Sequence, residues 1–377
     1  MENNTYTPTA QKESAKKAGG AAIKSHIDSS VLTPAIIIAV AICIILILTS
    51  VLVVVSKANQ PTEDDVLESP DIPENQDKEN TNKDNYPFKQ SISNFYPDYA
   101  ENATTIDATT ISSQNAALVD LSSNQIIASV KSGKSNVVHP ASLTKVMTLI
   151  VVYENLKSNN ALNEKLTLSE AVVNKMVEQK SSGYGFKAGE VLTVNELIHA
   201  VMLYSDGTAC ITLAEYISGS EAKFVELMNA KAQEMGLQNT NFQNCTGLHH
   251  KYHYSTAQDL AAIMSYAMKN TFCANVITAK SYKLGSHFRP DEEGPFTMYN
   301  QFLIGSLKVD SAYPVQPNTC TILGGKTGLT DEAQYCLVSY AKTKEGKEYV
   351  LVTCQAASAA LRNQDHINIF NKYVPKS

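Results

Sequence analysis

An apolar run near the N-terminus constrains this chain more than any other feature. It extends from Ala35 to Val55, 21 residues interrupted only by Thr49 and Ser50. A helix of that length crosses roughly 30 Å of hydrocarbon. Four lysines lie in the polar segment before the run, and an acidic stretch follows it. Because lysines are enriched on the cytoplasmic side of a span, we predict a cytoplasmic tail at residues 1–34, a transmembrane helix at 35–55 and an extracellular remainder.

A cleaved signal peptide is the alternative interpretation of the same run. However, the polar region before it is long for a signal peptide, and the small-x-small cleavage pattern from Ser56 to Ala58 is weak. An uncleaved anchor is therefore favoured, and it predicts a single-pass protein of the cell membrane.

The segment after the run has the composition of a linker. Residues 57–90 hold nine acidic residues against four lysines, and five prolines lie between residues 61 and 97. Such a segment buries too little apolar surface to offset the entropy of ordering it. We predict a disordered linker over residues 56–110.

Residues 111–377 carry the periodic apolar patterns of a folded domain, which we predict to be extracellular. Strand-like alternation occurs early, in a hairpin of Ala117–Leu121 and Ile126–Val130, and again near the end of the domain. The late segments are Thr321–Gly325, Tyr335–Ala341 and Tyr349–Cys354. The centre is largely helical, and a last helix covers Ala359–Tyr373. The predicted fold class is α+β: one antiparallel sheet built from both ends of the domain, flanked by helices, with a helical lobe.

The charge of the chain argues against one class of partner. The formal net charge is −6, and no cluster of lysines and arginines follows a candidate groove-binding element. Nucleic-acid binders usually carry a basic face. We therefore expect no nucleic-acid partner.

The most informative motif is His139-Pro-Ala-Ser-Leu-Thr-Lys145. At the start of a helix predicted over Ser142–Asn155, Ser142 and Lys145 share one face. The apolar residues from Val146 to Val152 indicate that this helix is buried, and burial disfavours the protonated form of an amine. A neutral lysine could then take the proton of the serine. The alternative for this short pattern alone is a helix cap followed by a surface lysine.

Two later elements strengthen the functional interpretation. Lys326, Thr327 and Gly328 directly follow the predicted strand Thr321–Gly325, where a cation and a hydroxyl can bind a carboxylate while glycine admits a ligand backbone. Ser205 opens a turn after an apolar helix and offers a hydroxyl that can relay protons.

The order of these three elements resembles that of penicillin-binding proteins and class A β-lactamases. Longer stretches resemble the low-molecular-mass penicillin-binding proteins that are D-alanyl-D-alanine carboxypeptidases: HPASLTKVMT at 139–148, Gly219–Leu248, YSTAQD at 254–259 and GGKTGLT at 324–330. The resemblance covers about residues 115–372. It implies the DD-peptidase and β-lactamase fold, and a serine enzyme that trims peptidoglycan stem peptides ending in D-Ala-D-Ala and is inhibited by β-lactams.

The resemblance also implies a role for individual residues. Ser142 would be the nucleophile, Lys145 its base and Ser205 a proton relay. Lys326 and Thr327 would bind the terminal carboxylate of the substrate next to Gly328, and the backbone N–H groups of Ser142 and Leu329 would form the oxyanion hole.

The middle motif departs from the family pattern. Where the family usually has Ser-Gly-Asn-Asp-Ala, this chain has Ser205-Asp206-Gly207-Thr208-Ala209. The amide that would bridge the lysine and the substrate is therefore missing at Gly207. Either Asp206 pairs with a lysine in its place, or Thr208 moves in. A carboxylate close to Lys145 would, however, stabilise the charged amine and weaken it as a base.

Two other functions stay open at this stage. A non-catalytic wall-binding or sensor protein is motivated by Gly207. A β-lactamase would need a carboxylate that speeds deacylation, and no Glu between Ser205 and Lys326 can be assigned to that role.

Histidines and cysteines give weaker signals. His249, His250 and His253 resemble metal ligands, but no nearby carboxylate completes a zinc site, so we expect no metal and no cofactor. Cys336 and Cys354 face each other across a predicted hairpin, which leaves open both a disulfide and two small core residues.

Overall fold

The computed structural model describes residues 95–130, 136–285, 288–289, 296–303 and 316–375. The predicted tail at 1–34, the transmembrane helix at 35–55 and most of the linker lie outside these ranges. Within the described ranges, no helix has the length and apolar character needed to cross a bilayer.

A six-stranded sheet organises the domain. Its spatial order is β1-β3-β2-β12-β11-β10, so the strands from the two ends of the domain meet where β2 pairs with β12. The strands are β1 (Asp98–Thr105), β2 (Asn115–Asp120), β3 (Gln125–Ser129), β10 (Thr321–Thr330), β11 (Gln334–Lys342) and β12 (Glu348–Ala356). Three two-stranded ladders lie apart from it: β4 (Val137–Val138) with β7 (Ser255–Thr256), β5 (Lys165–Thr167) with β6 (Val191–Thr193), and β8 (Ser281–Lys283) with β9 (Thr297–Tyr299).

Two features of the sheet correct the sequence prediction. The sheet is mixed, because β1 pairs in parallel with β3 while the other neighbours are antiparallel. The strand β1 also lies inside the segment predicted as a linker over 56–110. Phe95, Ala100 and Ile106 are buried against the domain, so residues 95–110 belong to the folded part and not to the linker.

Helices cover both faces of the sheet, which explains why its central strands are buried on both sides. Along β11, Leu337 and Ala341 face the apolar cluster beneath the C-terminal helix, whereas Cys336 and Val338 face the larger cluster beneath the helical lobe. This alternation is the period of two that a strand imposes.

The described helices are α1 (Thr144–Glu154), α2 (Glu170–Glu178), α3 (Val194–Leu203), α4 (Gly207–Ser218), α5 (Glu221–Glu234), α6 (Ala257–Lys269), α7 (Thr271–Thr278) and α8 (Ala359–Tyr373). Most begin at a side chain that accepts a hydrogen bond from the first turn: Ser169, Thr193, Asp206, Ser220, Thr256, Asn270 and Ser358. Helix α6 packs on β2 and β12, and α8 packs on β11 and β12 from the other face.

Helix α1 begins later than the predicted Ser142–Asn155. Residues Ala141–Leu143 form a 3₁₀ turn, and the α-helix starts at Thr144. Pro140 precedes the turn and Ala141 has a left-handed backbone with φ +47°, so the chain enters the helix through a tight corner. Ser142 lies at this corner.

Candidate active site

The 3₁₀ turn Ala141–Leu143, which we call the nucleophile turn, and the first turn of α1 bring Ser142 and Lys145 together. The Lys145 Nζ lies 3.2 Å from the Ser142 Oγ, within hydrogen-bond distance. Lys145 is only 2% exposed, because α1 is buried almost all round. The predicted arrangement of a hydroxyl beside a desolvated amine is therefore present.

A loop that follows α5 holds the other side of the lysine. The Lys145 Nζ also donates to the carbonyl oxygen of Thr246. The Asn244 side chain accepts from the backbone N–H groups of Thr246, at 3.2 Å, and Gly247, at 2.7 Å, and this fixes the loop. Gly247 has φ +78°, and a Cβ there would overlap the carbonyl of Ala141. The loop thus packs directly against the nucleophile turn.

The strand β10 forms the facing wall. Lys326, Thr327 and Gly328 lie within β10 rather than after a strand ending at Gly325, which corrects the predicted boundary. A Cβ on Gly328 would lie 3.0 Å from the Pro140 oxygen and 3.3 Å from the Ser142 nitrogen. Any larger residue would require the Pro140–Ser142 segment to shift by a few tenths of an ångström, so glycine suits the close approach of this strand to the nucleophile.

Lys326 is the second buried amine of the site. It is 3% exposed and donates to its neighbour's carbonyl, Thr327 O, at 2.9 Å. Burial holds the pKa of Lys326 well below its usual value, and the positive charge of Lys145 lowers it further. Lys145 is therefore not the isolated charge expected from its helix alone. A carboxylate arriving here would find two buried amines.

Ser205 lies at the turn between α3 and α4. Its backbone is left-handed, with φ +57°, and its buried Oγ has no hydrogen-bond partner among the described residues. Strained backbones and unsatisfied buried hydroxyls are concentrated at functional sites. Both features fit the relay role implied for Ser205.

Asp206 and Gly207 differ from the expectations for them. The Asp206 carboxylate is 1% exposed and accepts from Ala209 N at 2.8 Å and Tyr184 N at 2.7 Å. Burial raises its pKa, and these hydrogen bonds and the charge of Lys145 oppose that shift. Asp206 thus caps α4 and holds a loop, instead of serving mainly as a lysine partner. Gly207 lies against Ser181.

The histidines beside the site act as hydrogen-bonding groups. The His139 Nδ1 donates to the His253 carbonyl at 2.9 Å. The His253 Nδ1 accepts from Gln243 N at 3.3 Å, so its Nε2 is the donor to Thr144 Oγ1 at 2.9 Å. Burial lowers the pKa of His253 to about 3, which keeps this ring neutral. No cluster of three or more His, Cys, Asp or Glu side chains in the described ranges could hold a metal.

The paired cysteines lie together under the site. Cys336 lies opposite Gly328 in the β10–β11 ladder, its thiol donates to the Ala333 carbonyl at 3.3 Å, and the Cys354 thiol is near enough to lower its pKa. Both are free, fully buried thiols, so they are two small core residues and not a disulfide.

Sequence reasoning missed the contribution of backbone and loop groups. Thr246, Asn244 and Ser181 had no predicted role. Asn244, Thr246 and Gly247 fall within the stretch 219–248 that resembles the carboxypeptidases, and this was a usable signal. Ser181 carried no such signal, because it belongs to a loop outside every motif.

Comparison with known proteins agrees with this geometry. The sequence pattern of D-alanyl-D-alanine carboxypeptidases matches residues 102–358. The chain belongs to this family. It is 31% identical over 251 residues to the D-alanyl-D-alanine carboxypeptidase DacF of Bacillus subtilis, covering 66% of this chain but 59% of the relative. It is 32% identical over 243 residues to a D-alanyl-D-alanine carboxypeptidase of Streptomyces, covering 61% and 77%.

Solved structures of DD-peptidases share the fold. The Streptomyces K15 DD-transpeptidase superposes with a TM-score of 0.60 at 28% identity, covering 71% of this chain and 98% of that one. Penicillin-binding protein 5 from Haemophilus influenzae superposes with a TM-score of 0.58 at 26% identity, covering 70% and 72%. The predicted family is confirmed, as is the α+β fold with its mixed sheet and flanking helices.

Proposed function

We propose that this protein is a serine D-alanyl-D-alanine carboxypeptidase that removes the terminal D-alanine from peptidoglycan stem pentapeptides. The observation that carries the proposal is the buried Lys145 amine, 3.2 Å from the Ser142 hydroxyl and beside the Lys326 strand. Membership of the carboxypeptidase family supports the substrate class.

Acylation begins when the Lys145 amine takes the proton of Ser142. The Oγ attacks the carbonyl carbon of the penultimate D-alanine, and the oxyanion faces the N–H groups of Ser142 and Leu329. The bond to the terminal D-alanine nitrogen breaks as that nitrogen takes a proton through Ser205, and D-alanine leaves. Water then attacks the ester, the serine recovers its proton and the shortened stem peptide is released.

Lys326 is the group that receives the carboxylate of the substrate. Burial, and then the nearby charge of Lys145, hold its pKa well below the usual value. A substrate carboxylate favours the protonated form of Lys326.

Release of free D-alanine from a diacylated tripeptide ending in D-Ala-D-Ala tests the activity, with the full chain in detergent. We expect release by the wild type and by Ser123→Ala, an exposed serine far from the motifs, but not by Ser142→Ala. Mass spectrometry should locate a fluorescent penicillin adduct on Ser142. Wild-type release no higher than that of Ser142→Ala would contradict the proposal and favour a non-catalytic wall-binding role.

β-Lactams are expected to inhibit by acylating the same serine. A carboxypeptidase should hold the penicilloyl ester for minutes or longer, and a lifetime of seconds would instead indicate a β-lactamase. The decay of the fluorescent adduct after removal of free penicillin measures this lifetime.

We propose that residues 35–55 anchor the enzyme in the cell membrane with the domain outside. The length of this apolar run and the lysines before it support the proposal. Protease added to intact protoplasts should remove the domain, and the intact mass of the isolated protein should retain residues 1–34. A mature chain beginning near residue 59 would support the cleaved signal peptide instead.

A further inference from the structure

The loop at residues 181–184 is bound to the turn that carries Ser205. The Asp206 carboxylate accepts the Tyr184 N–H at 2.7 Å, and the Gly207 N–H donates to the Ser182 carbonyl at 3.0 Å. A Cβ on Gly183 would lie 2.7 Å from the Asp206 Oδ2, so only glycine lets the loop come this close. Two adjacent residues of the turn therefore hold the loop in place.

Ser181 occupies the space that Gly207 leaves open. A Cβ on Gly207 would overlap the Ser181 Oγ and would lie 2.8 Å from the Met176 Sδ. The Ser181 backbone is fixed at the end of α2, since its N–H donates to the Met176 carbonyl at 2.9 Å. The side chain that fills the space at Gly207 is therefore that of Ser181, which lies 26 residues earlier in the chain.

This place is next to the reacting groups. Asp206 lies close enough to Lys145 for the charge of the lysine to lower the carboxyl pKa. Gly207 follows Ser205 by two residues, and the Ser205 hydroxyl is buried without a partner. In the proposed mechanism Ser205 relays a proton to the leaving group, so the Ser205–Gly207 turn would lie beside the bound substrate.

The Ser181 hydroxyl has hydrogen-bonding capacity left for a ligand. Its bond, to the Ser182 carbonyl, is long at 3.4 Å, and the residue is half-buried. A hydroxyl can donate once and accept twice. Such a group suits the peptide N–H or C=O of an extended acyl chain.

We infer that Ser181 is a substrate-positioning residue whose hydroxyl hydrogen-bonds the peptide group of the stem on the acyl side of the scissile bond. The missing side chain at Gly207 is thereby replaced from the 181–184 loop. Asp206 holds this loop in register. The inference rests on the proposed carboxypeptidase function and names one of its substrate contacts.

The first test compares Ser181→Ala with Ser182→Ala, because Ser182 is an exposed neighbour that contacts the turn through its backbone alone. We expect Ser181→Ala to lower kcat/KM for D-alanine release from the tripeptide about tenfold, the effect of one lost hydrogen bond. Ser182→Ala should stay within about twofold of the wild type. Acylation by a small thioester without a peptide chain should be unchanged in both variants, and a merely structural role of Ser181 would slow this reaction too.

The second test moves the side chain back to the turn. Gly207→Asn alone should displace Ser181 and lower kcat/KM by more than tenfold. Ser181→Gly combined with Gly207→Asn removes the overlap with the Ser181 side chain, leaves only the flexible Met176 side chain to shift, and should recover most of the loss. Equal values for Ser181→Ala and the wild type, or a double variant no better than Gly207→Asn, would overturn the inference. If the wild type itself released no D-alanine, the proposed function would fail instead.

Discussion

Replacing Gly247 with alanine tests whether the loop behind Lys145 supports the nucleophile turn. Gly247 has φ +78°, and a Cβ there would overlap the Ala141 carbonyl and lie 2.9 Å from the Ser142 nitrogen. A left-handed alanine costs about 1–2 kcal/mol, and overpacking adds about 1–3 kcal/mol. We expect the free energy of unfolding in urea to fall by about 2–5 kcal/mol. Penicillin acylation should slow at least tenfold, because both Ser142 and the Thr246 carbonyl must move.

Gly219 provides a matched control for this substitution. It ends α4 with φ +81°, and a Cβ there would meet no atom within 4 Å. Gly219→Ala should therefore show the backbone cost of about 1–2 kcal/mol alone, with an unchanged acylation rate. Equal losses of stability in the two variants, or wild-type acylation by Gly247→Ala, would refute the reasoning.

Three further outcomes follow from buried groups around the sheet and the site. Burial lowers the pKa of His253 and of His366 to about 3, so between pH 6.5 and 3 the unfolded chain binds more protons. The free energy of unfolding should fall by roughly 1.4 kcal/mol per pH unit per histidine as the pH drops through this range, and urea titrations of His366→Asn should show a smaller slope. Cys336 and Cys354 should react with a maleimide only after denaturation, and labelling of the folded enzyme would contradict their burial. Lys145→Met should lower penicillin acylation by about 10²–10⁴-fold; acylation at the wild-type rate would exclude Lys145 as the base.

The parts of the fold that the sequence predicts best are those with a complete local signal. The helix Ala359–Tyr373 was predicted with the bounds that the structure shows, because its apolar period begins directly after a capping serine, Ser358. The strand β1 was missed because it is an edge strand with a single buried residue, Ala100, among polar ones. Its parallel pairing with β3 leaves no trace in a pattern of alternation.

The glycines of β10 misled the prediction in another way. Glycine has a low strand propensity, so the strand was expected to end at Gly325. The ladder with β11 nevertheless continues to Thr330. Gly328 is present because the strand must approach Ser142 closely, a tertiary requirement that overrides local propensity.

Site residues could be predicted where the chemistry is local. Ser142 and Lys145 are three positions apart on one turn, and this spacing alone brings them together. The Thr246 carbonyl that holds the same amine is a backbone group, identical in every residue type. No pattern of side chains could identify it before the loop was placed against α1.

The turn at Asp206 and Gly207 shows why a departure from a motif cannot be judged one position at a time. Taken alone, Gly207 is the loss of a side chain from the site, and Asp206 is a carboxylate in an unfavourable place beside a catalytic amine. In the fold the two substitutions act together: Asp206 holds the 181–184 loop through Tyr184 N, and the absence of a Cβ at Gly207 admits Ser181. Neither change is useful without the other, since a larger residue at 207 would collide with the held loop, and a glycine with no held loop would leave a gap at the Ser205–Gly207 turn. Pairs of this kind are separated along the chain and become visible only when the loop and the turn are seen in contact.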